Sequence, residues 1–439
     1  MQRNIVKTRQ GFIEGIAEGE SIVFKGIPYA QPPVGELRWR RPQPPKPWEG
    51  VFRADHFGNR CAQDEHKDSF YHKEFYDEDG YKTPVSEDGL YLNVWAPKKA
   101  SGTPFPVAFY IHGGAFLGGC GHEVEFRTDA FAKKGVILVT INYRLGIFGF
   151  LSHPWLACED AMACGNYGLL DQIAALRWVR ENIAVFGGDP ENITIFGQSA
   201  GCMSVQALLS VECARGLFSK AILQSGAGYP MVIQQELSFE DSLAVGQFSQ
   251  KAAKASSLEE LRALSTEELY QLQGKAIGMS MDAGKGLPFT PVANSVIRQK
   301  SYNELIACGE IADVPMIIGS NKNDITVTPE EAKSKRSVFR ERCRQWAFAM
   351  EDSGHAPVYV YFFEHNLPGD NAGAFHSAEL WYVFGTLGRC WRPMAPKDYE
   401  ISERMVTYWT NFMKNASPNS QTIDFWPVCT KKNDFEMKF

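Results

Sequence analysis

The segment Ile193-Thr194-Ile195-Phe196-Gly197-Gln198-Ser199-Ala200-Gly201 constrains this chain more than any other. Four β-branched or aromatic residues give a strand signal, a G-x-S-x-G follows, and Cys202 to Leu209 reads as a helix. Strand, sharp turn and helix in that order make a nucleophile elbow, in which the turn strains the serine backbone and lifts its hydroxyl clear of the strand's carboxyl end. Helix and strand then approach too closely for a Cβ, which requires glycine at 197 and 201. G-x-S-x-G alone is common by chance. The flanking pattern is what makes Ser199 the candidate nucleophile.

An elbow needs a sheet to stand on, and from Leu90 onward the chain supplies one. Leu90 to Trp95, Val107 to Ile111, Val136 to Ile141, Ile193 to Phe196, Ala221 to Leu223, Pro315 to Ile318 and Val358 to Phe363 read as short apolar strands. Helical patterns at 169–185 and 239–275 lie among them, the first ending at Gly187-Gly188. Such alternation predicts an α/β fold with a mostly parallel, twisted central sheet and helices on both faces. Ligands then sit at the carboxyl ends of the strands. Residues 1–60 are turn-rich and carry seven prolines from Pro28 to Pro47, a lead-in of short strands. Residues 61–88 are polar and aromatic and read as a long loop, either a functional cover or a solvated excursion. No linker, repeat or charge block divides the 439 residues, so a single domain over 1–439 is expected.

Lys plus Arg number 45 and Asp plus Glu 51, a formal charge of −6 spread evenly, which argues against a nucleic-acid partner. The run Asp77-Glu78-Asp79 reads as a solvated loop. No apolar run approaches the roughly 18 residues of a membrane span. Met1 to Lys7 has no apolar leader, so the cytoplasm is the expected compartment. None of the ten cysteines forms a C-x-x-C, and no Cys/His spacing fits zinc. Reduced thiols are expected, with neither metal nor cofactor.

Serine becomes nucleophilic only when a base takes its proton, and on this fold the chain order is nucleophile, acid, histidine. Three histidines follow at a distance: His355, His365 and His376. His355 precedes the strand 358–363 and would sit at its wrong end. His365 closes that strand, and His376 lies in the loop beyond it. Spacing favours His376 over His365. The acid that orients the imidazole should follow the strand 315–318, where Asp324, Glu330 and Glu331 stand. The glutamates have a structural explanation, since Thr328-Pro329-Glu330-Glu331 reads as a capping box, and Asp324 remains. His112-Gly113-Gly114-Ala115-Phe116 follows a strand and matches a glycine-rich oxyanion loop, with the N–H of Ala200 as a further donor. A phosphate cradle is the competing reading, but no Gly-Lys-Ser/Thr follows.

With these residues assembled, the chain resembles the type-B carboxylesterases, a group that includes para-nitrobenzyl esterases, liver carboxylesterases and cholinesterases. Phe186 to Gly201 fits the serine signature of that family. Glu87 to Pro97 fits its second signature except at Gly89, where cysteine is usual. Phe24 to Ala30, Asn142 to Gly146, Gly168 to Gln172 and Leu223 to Gly226 match further blocks. The resemblance implies an α/β-hydrolase fold, Ser199 as nucleophile, His376 as base, Asp324 as acid, and Gly114, Ala115 and Ala200 as oxyanion donors, with Gly113 a spacer. It makes Arg38 with Glu87 and Arg144 with Asp171 structural ion pairs, and Ser225 a supporting serine beside the triad.

Three departures carry expectations. Asp324 stands where glutamate is usual, so its loop must compensate for one methylene. Gly89 removes the disulfide partner that secreted relatives provide for Cys61. The interval from Asp324 to His376 is short, so helices that commonly wall the gorge are missing, and the pocket should be more open or its rim completed by another subunit. The loop 61–89 also lacks tryptophan, so the choline site of cholinesterases is not evident. The activity implied is hydrolysis of small-molecule carboxylic esters through an acyl-enzyme. Amide, carbamate or thioester cleavage uses the same machinery, and a silent neuroligin-like interaction protein would have lost part of the triad.

Overall fold

Strands in which nearly every residue is apolar cannot leave either face in water. In this protein, described by a computed structural model over residues 4–64, 69–76, 83–99, 101–231, 236–294, 296–325 and 338–439, such strands form the middle of a ten-stranded sheet. In chain order its strands are β1 (Ile16–Glu18), β2 (Ser21–Pro28), β3 (Tyr91–Pro97), β4 (Phe105–Ile111), β5 (Ile137–Ile141), β6 (Gly188–Gln198), β7 (Lys220–Gln224), β8 (Met316–Asn321), β9 (Val358–Phe363) and β10 (Met437–Lys438). Across the sheet they run β10-β9-β8-β7-β6-β4-β5-β3-β2-β1. All pairings from β10 through to β5 are parallel, and β5–β3, β3–β2 and β2–β1 are antiparallel. The lead-in adds a three-stranded side sheet of Ile5–Lys7, Phe12–Glu14 and Val51–Arg53.

The main helices are α1 (Tyr167–Asn182), α2 (Ala200–Ser210), α3 (Phe239–Ala253), α4 (Thr266–Asp282), α5 (Phe339–Asp352) and α6 (Pro396–Asn415). Two cores result from the period of two along the strands. Val107, Phe109 and Ile111 of β4 face a core shared with α1, α2 and α5. Ala108 and Tyr110 face a second core built on Met405, Trp409 and Phe412 of α6. Helices on both faces of a mostly parallel sheet are the expected α/β-hydrolase arrangement. From β4 the chain crosses to β5, and from β6 it crosses the other way to β7. The carboxyl ends of β4 and β6 therefore flank a crevice at a topological switch point, the place where open α/β sheets take ligands.

Details depart from the sequence reading for local reasons. The helix expected over 169–185 is α1 plus a tight turn, Ile183–Phe186, closed by Gly187 at φ 90°. The expected stretch 239–275 is α3, a short helix Leu258–Arg262 and α4, each opened by a serine whose hydroxyl accepts from the third N–H along. Each such cap is worth about 1 kcal/mol. The loop 61–88 contains a wide helical turn, His72–Tyr76. The capping box at Thr328–Glu331 and the acidic run 77–79 lie outside the described residues.

Both ion pairs are present. Arg144 grips Asp171 with Nε and Nη2 at 2.8 and 2.7 Å, fully buried. Removing one partner of a pair like this typically costs about 3–5 kcal/mol. Arg38 reaches Glu87 at 2.8 and 2.5 Å, and Glu87 also accepts from Thr266 of α4, which fixes the end of the 61–88 loop.

All ten cysteines carry free thiols, and only Cys158 and Cys308 are exposed. Cys61 donates to the Gly89 carbonyl at 3.4 Å. Burial pushes the Cys164 thiol up to about 11 and Cys429 to about 12. Thiol titration should therefore find about two fast-reacting groups in the native protein and ten after non-reducing denaturation. Fewer than ten would reveal a disulfide. Among the described residues no helix is long and apolar enough to cross a membrane.

Candidate active site

The elbow follows from crowding. Ser199 sits between β6 and α2 at φ 56°, ψ −125°, a backbone that L-residues rarely adopt and that costs about 1–3 kcal/mol. A Cβ at Gly197 would overlap the backbone of Gly201, and one at Gly201 would overlap the carbonyl of Ile111 at the end of β4. The surroundings hold the serine in place. Its N–H donates to Gln224 O at 2.9 Å, and its carbonyl occupies space that a side chain at Gly226 would take.

The loop after β4 comes against the serine. A Cβ at Gly113 would stand 3.2 Å from Ser199 Cβ and 2.9 Å from the Gln198 carbonyl. Gly114 has φ 99° and Ala115 φ 56°, a left-handed course after the strand. The Gly114 carbonyl is occupied by the N–H groups of Leu117 and Gly118. The N–H groups of Gly114, Ala115 and Ala200 have no partner among the described residues. His112 stacks on Tyr143, whose hydroxyl donates to the His112 carbonyl at 3.0 Å. Burial lowers the His112 pKa to about 4, so this loop carries no charge of its own near neutral pH.

Asp324 and His376 meet across two loops clasped together. Asn323 N–H donates to Ala374 O at 3.0 Å, Ala374 N–H donates to Asn323 Oδ1 at 3.0 Å, and Asn321 Nδ2 donates to Phe375 O at 2.8 Å. This clasp brings the shorter aspartate within reach, and His376 Nδ1 hydrogen-bonds Asp324 Oδ1. The other carboxylate oxygen accepts from Asn321 N–H at 3.0 Å. With Nδ1–H given to the carboxylate, the lone pair lies on Nε2, the tautomer a base needs. Burial draws the His376 pKa down. The charge and hydrogen bond of Asp324, with the charge of Glu379, outweigh it and hold the imidazole above its ordinary value.

Ser199, His376, Gly113, Gly114 and Ala115 line one cavity of about 670 Å³. The two other candidate bases are elsewhere: His355 bonds Ser353 Oγ at 2.9 Å before β9, and His365 bonds Asp398 at 2.8 Å. Ser225 is buried at the end of β7 with φ 49°, and its hydroxyl has no partner among the described residues.

Three participants escaped the sequence reading. Gln198 Nε2 lies 3.3 Å from His376 Nε2, so its amide faces that ring nitrogen. Glu379 is fully buried three residues after His376, bonded by Asn321 at 2.5 Å and Gln224 at 3.4 Å. Burial, reinforced by the Asp324 charge, pushes its carboxyl up to about 7. Its short spacing from His376 was a usable signal. The third is Glu74, which accepts from Trp381 Nε1 at 3.0 Å, Trp391 Nε1 at 2.9 Å and Arg392 Nε at 2.9 Å. It draws the turn His72–Tyr76 over the cavity, where Tyr71, Phe75 and Tyr76 form a wall. The described residues 69–76 of the 61–88 loop thus cover part of the site.

The sequence profile of the Carboxylesterase family matches residues 2–347 and 334–439. The para-nitrobenzyl esterase of Bacillus subtilis (strain 168) is 34% identical over 475 aligned residues, covering 98% of this chain and 93% of that protein. The fumonisin B1 esterase of Sphingopyxis macrogoltabida is 31% identical, covering 97% and 85%. A solved thermophilic PNB esterase superposes with a TM-score of 0.86 at 31% identity, covering 100% of this chain and 96% of that one. The alignment with the B. subtilis protein is longer than this chain, so stretches present there are absent here. The two matched stretches overlap at 334–347, between Asp324 and His376, where the short interval lies.

Proposed function

The chain belongs to the carboxylesterase family and is a carboxylic-ester hydrolase, and on that premise we propose that Ser199, His376 and Asp324 are its catalytic triad, with Gly114, Ala115 and Ala200 as oxyanion donors. The observation that carries this reading is the Asp324–His376 hydrogen bond at the wall of the cavity that Ser199 enters from a strained elbow.

The chemistry follows from those positions. A substrate carbonyl enters beside Ser199, and Oγ attacks its carbon while His376 Nε2 takes the hydroxyl proton. The carbonyl oxygen gains the negative charge, and the N–H groups of Gly114, Ala115 and Ala200 meet it. Each such donor is typically worth about 3–4 kcal/mol in the transition state. His376 then gives its proton to the departing alcohol oxygen, leaving an ester on Ser199. Water, deprotonated by the same imidazole, releases the acid and restores the hydroxyl. Asp324 keeps the ring oriented and stabilises its cation throughout.

The two cores share one sheet, which supports reading residues 1–439 as a single domain. Gly89 opposite Cys61 and the free thiols support a reducing compartment, the cytoplasm. A fluorophosphonate tests the site directly. One equivalent should attach to the peptide that carries Ser199 and abolish ester turnover. Inhibition with the label on another residue would overturn the assignment.

A further inference from the structure

The Ser199 cavity is lined in part by buried polar side chains that the proposed triad does not use. Tyr110, Glu123 and Glu125 all contribute to its lining. Tyr110 is fully buried and Glu125 is 1% exposed. Neither the Tyr110 hydroxyl nor Glu125 Oε2 has a hydrogen-bond partner among the described residues. Buried polar atoms are paired in the great majority of cases, so two unpaired ones on one cavity call for an explanation.

Their neighbours narrow it. Glu123 accepts from Cys120 N–H at 2.8 Å and bonds the side chain of Glu125, which two carboxyl groups do by sharing a proton. Burial pushes Glu123 up to about 7, and burial with the charge of Glu123 pushes Glu125 well above the carboxylate range. Arg60 acts on the first and Arg127 on the second, each favouring the charged form without restoring an ordinary carboxylate. A proton committed between the carboxyls leaves the outer oxygen of Glu125 as an acceptor. The Tyr110 hydroxyl can donate or accept. What is missing is a donor, since no described side chain or backbone group reaches either oxygen.

We propose that this part of the cavity recognises a hydrogen-bond donor, a hydroxyl or an ammonium, at the far end of the ester substrate, with Tyr110 and Glu125 as the specificity-determining residues. The inference rests on Ser199 being the nucleophile in the same cavity. A pocket that only excludes water distinguishes substrates weakly. One with buried polar groups to satisfy rejects the analogue that leaves them unpaired far more strongly.

The test compares nitrophenyl esters of one acyl length, with a plain alkyl, an ω-hydroxy or an ω-amino terminus. For the wild-type protein, kcat/KM for at least one donor-bearing ester should exceed that for the alkyl ester by about tenfold or more, chiefly through KM. Tyr110→Phe removes one unpartnered oxygen and keeps the ring. Glu125→Leu removes the acceptor. Each should bring the ratio toward one. Stoichiometric fluorophosphonate labelling and an unaltered circular dichroism spectrum establish that the variants are folded. Preference for the hydroxy ester identifies a neutral donor, and preference for the amino ester a cation. Equal rates for all three wild-type reactions, or a preference that survives Tyr110→Phe undiminished, overturns the proposal. Failure to label Ser199 would instead defeat the triad assignment, so the two are separable.

Discussion

Ser199→Ala and His376→Ala will each reduce turnover of a nitrophenyl ester by about six orders of magnitude, and the double variant will be no worse than either single one. The reason is that nucleophile and base act as a unit. A hydroxyl without its base is a poor nucleophile, and a base without the hydroxyl has no proton to take. Residual activity from the oxyanion donors and substrate binding remains in all three. Ser199 makes its structural contacts through its backbone, so the alanine variant should fold with the same spectrum. His365→Ala is the control. Its ring is engaged by Asp398, and activity should stay near wild type. A His365 variant as inactive as His376→Ala, or losses that multiply in the double variant, would refute the assignment.

Asp324→Asn will leave the protein folded and lower kcat by roughly four orders of magnitude, because an amide facing Nδ1 favours the wrong tautomer. The pH profile provides an independent reading. The base must be neutral, so activity is lost as pH falls through the His376 pKa. Burial pulls that value down while Asp324 and Glu379 lift it. With the Asp324 charge gone, burial counts for more, and the acid limb of kcat/KM should move to lower pH. Measuring the residual activity across pH for both proteins checks the sign. Glu330→Gln and Glu331→Gln should keep both rate and profile. A near-wild-type Asp324→Asn, or an acid limb displaced to higher pH, shows that another carboxylate orients the ring.

What could be read from the sequence was what local geometry encodes. Gly197, Ser199 and Gly201 specify a turn through steric exclusion within five residues, so the elbow was readable in full. The strands from β4 to β9 were readable because burial on both faces leaves an unbroken apolar run. Asp324 and His376 could be ranked by chain order, spacing, the capping box beside Asp324 and the family resemblance, but not by contact, since what unites them is the clasp through Asn321 and Asn323 to Ala374 and Phe375, about fifty residues on. Glu74 was out of reach. Its partners lie more than 300 residues away, and nothing near it in the chain distinguishes a buried anchor from a solvated glutamate. The turn at 72–76 was missed for the same reason, since tertiary pairing holds it.

The Glu74 anchor separates two inheritances within one molecule. Ser199 sits at a strand end whose position the sheet fixes, and Asp324 and His376 sit on two loops clasped to each other, so these positions tolerate little change. The aromatic wall over them hangs from one carboxylate held by Trp381, Trp391 and Arg392. Exposed and half-buried positions between Ser69 and Tyr76 can drift while that anchor stays, altering the surface a substrate meets without moving the nucleophile. Selectivity can therefore diversify faster than chemistry, and a library confined to this short stretch samples new substrate preferences on an intact catalytic frame.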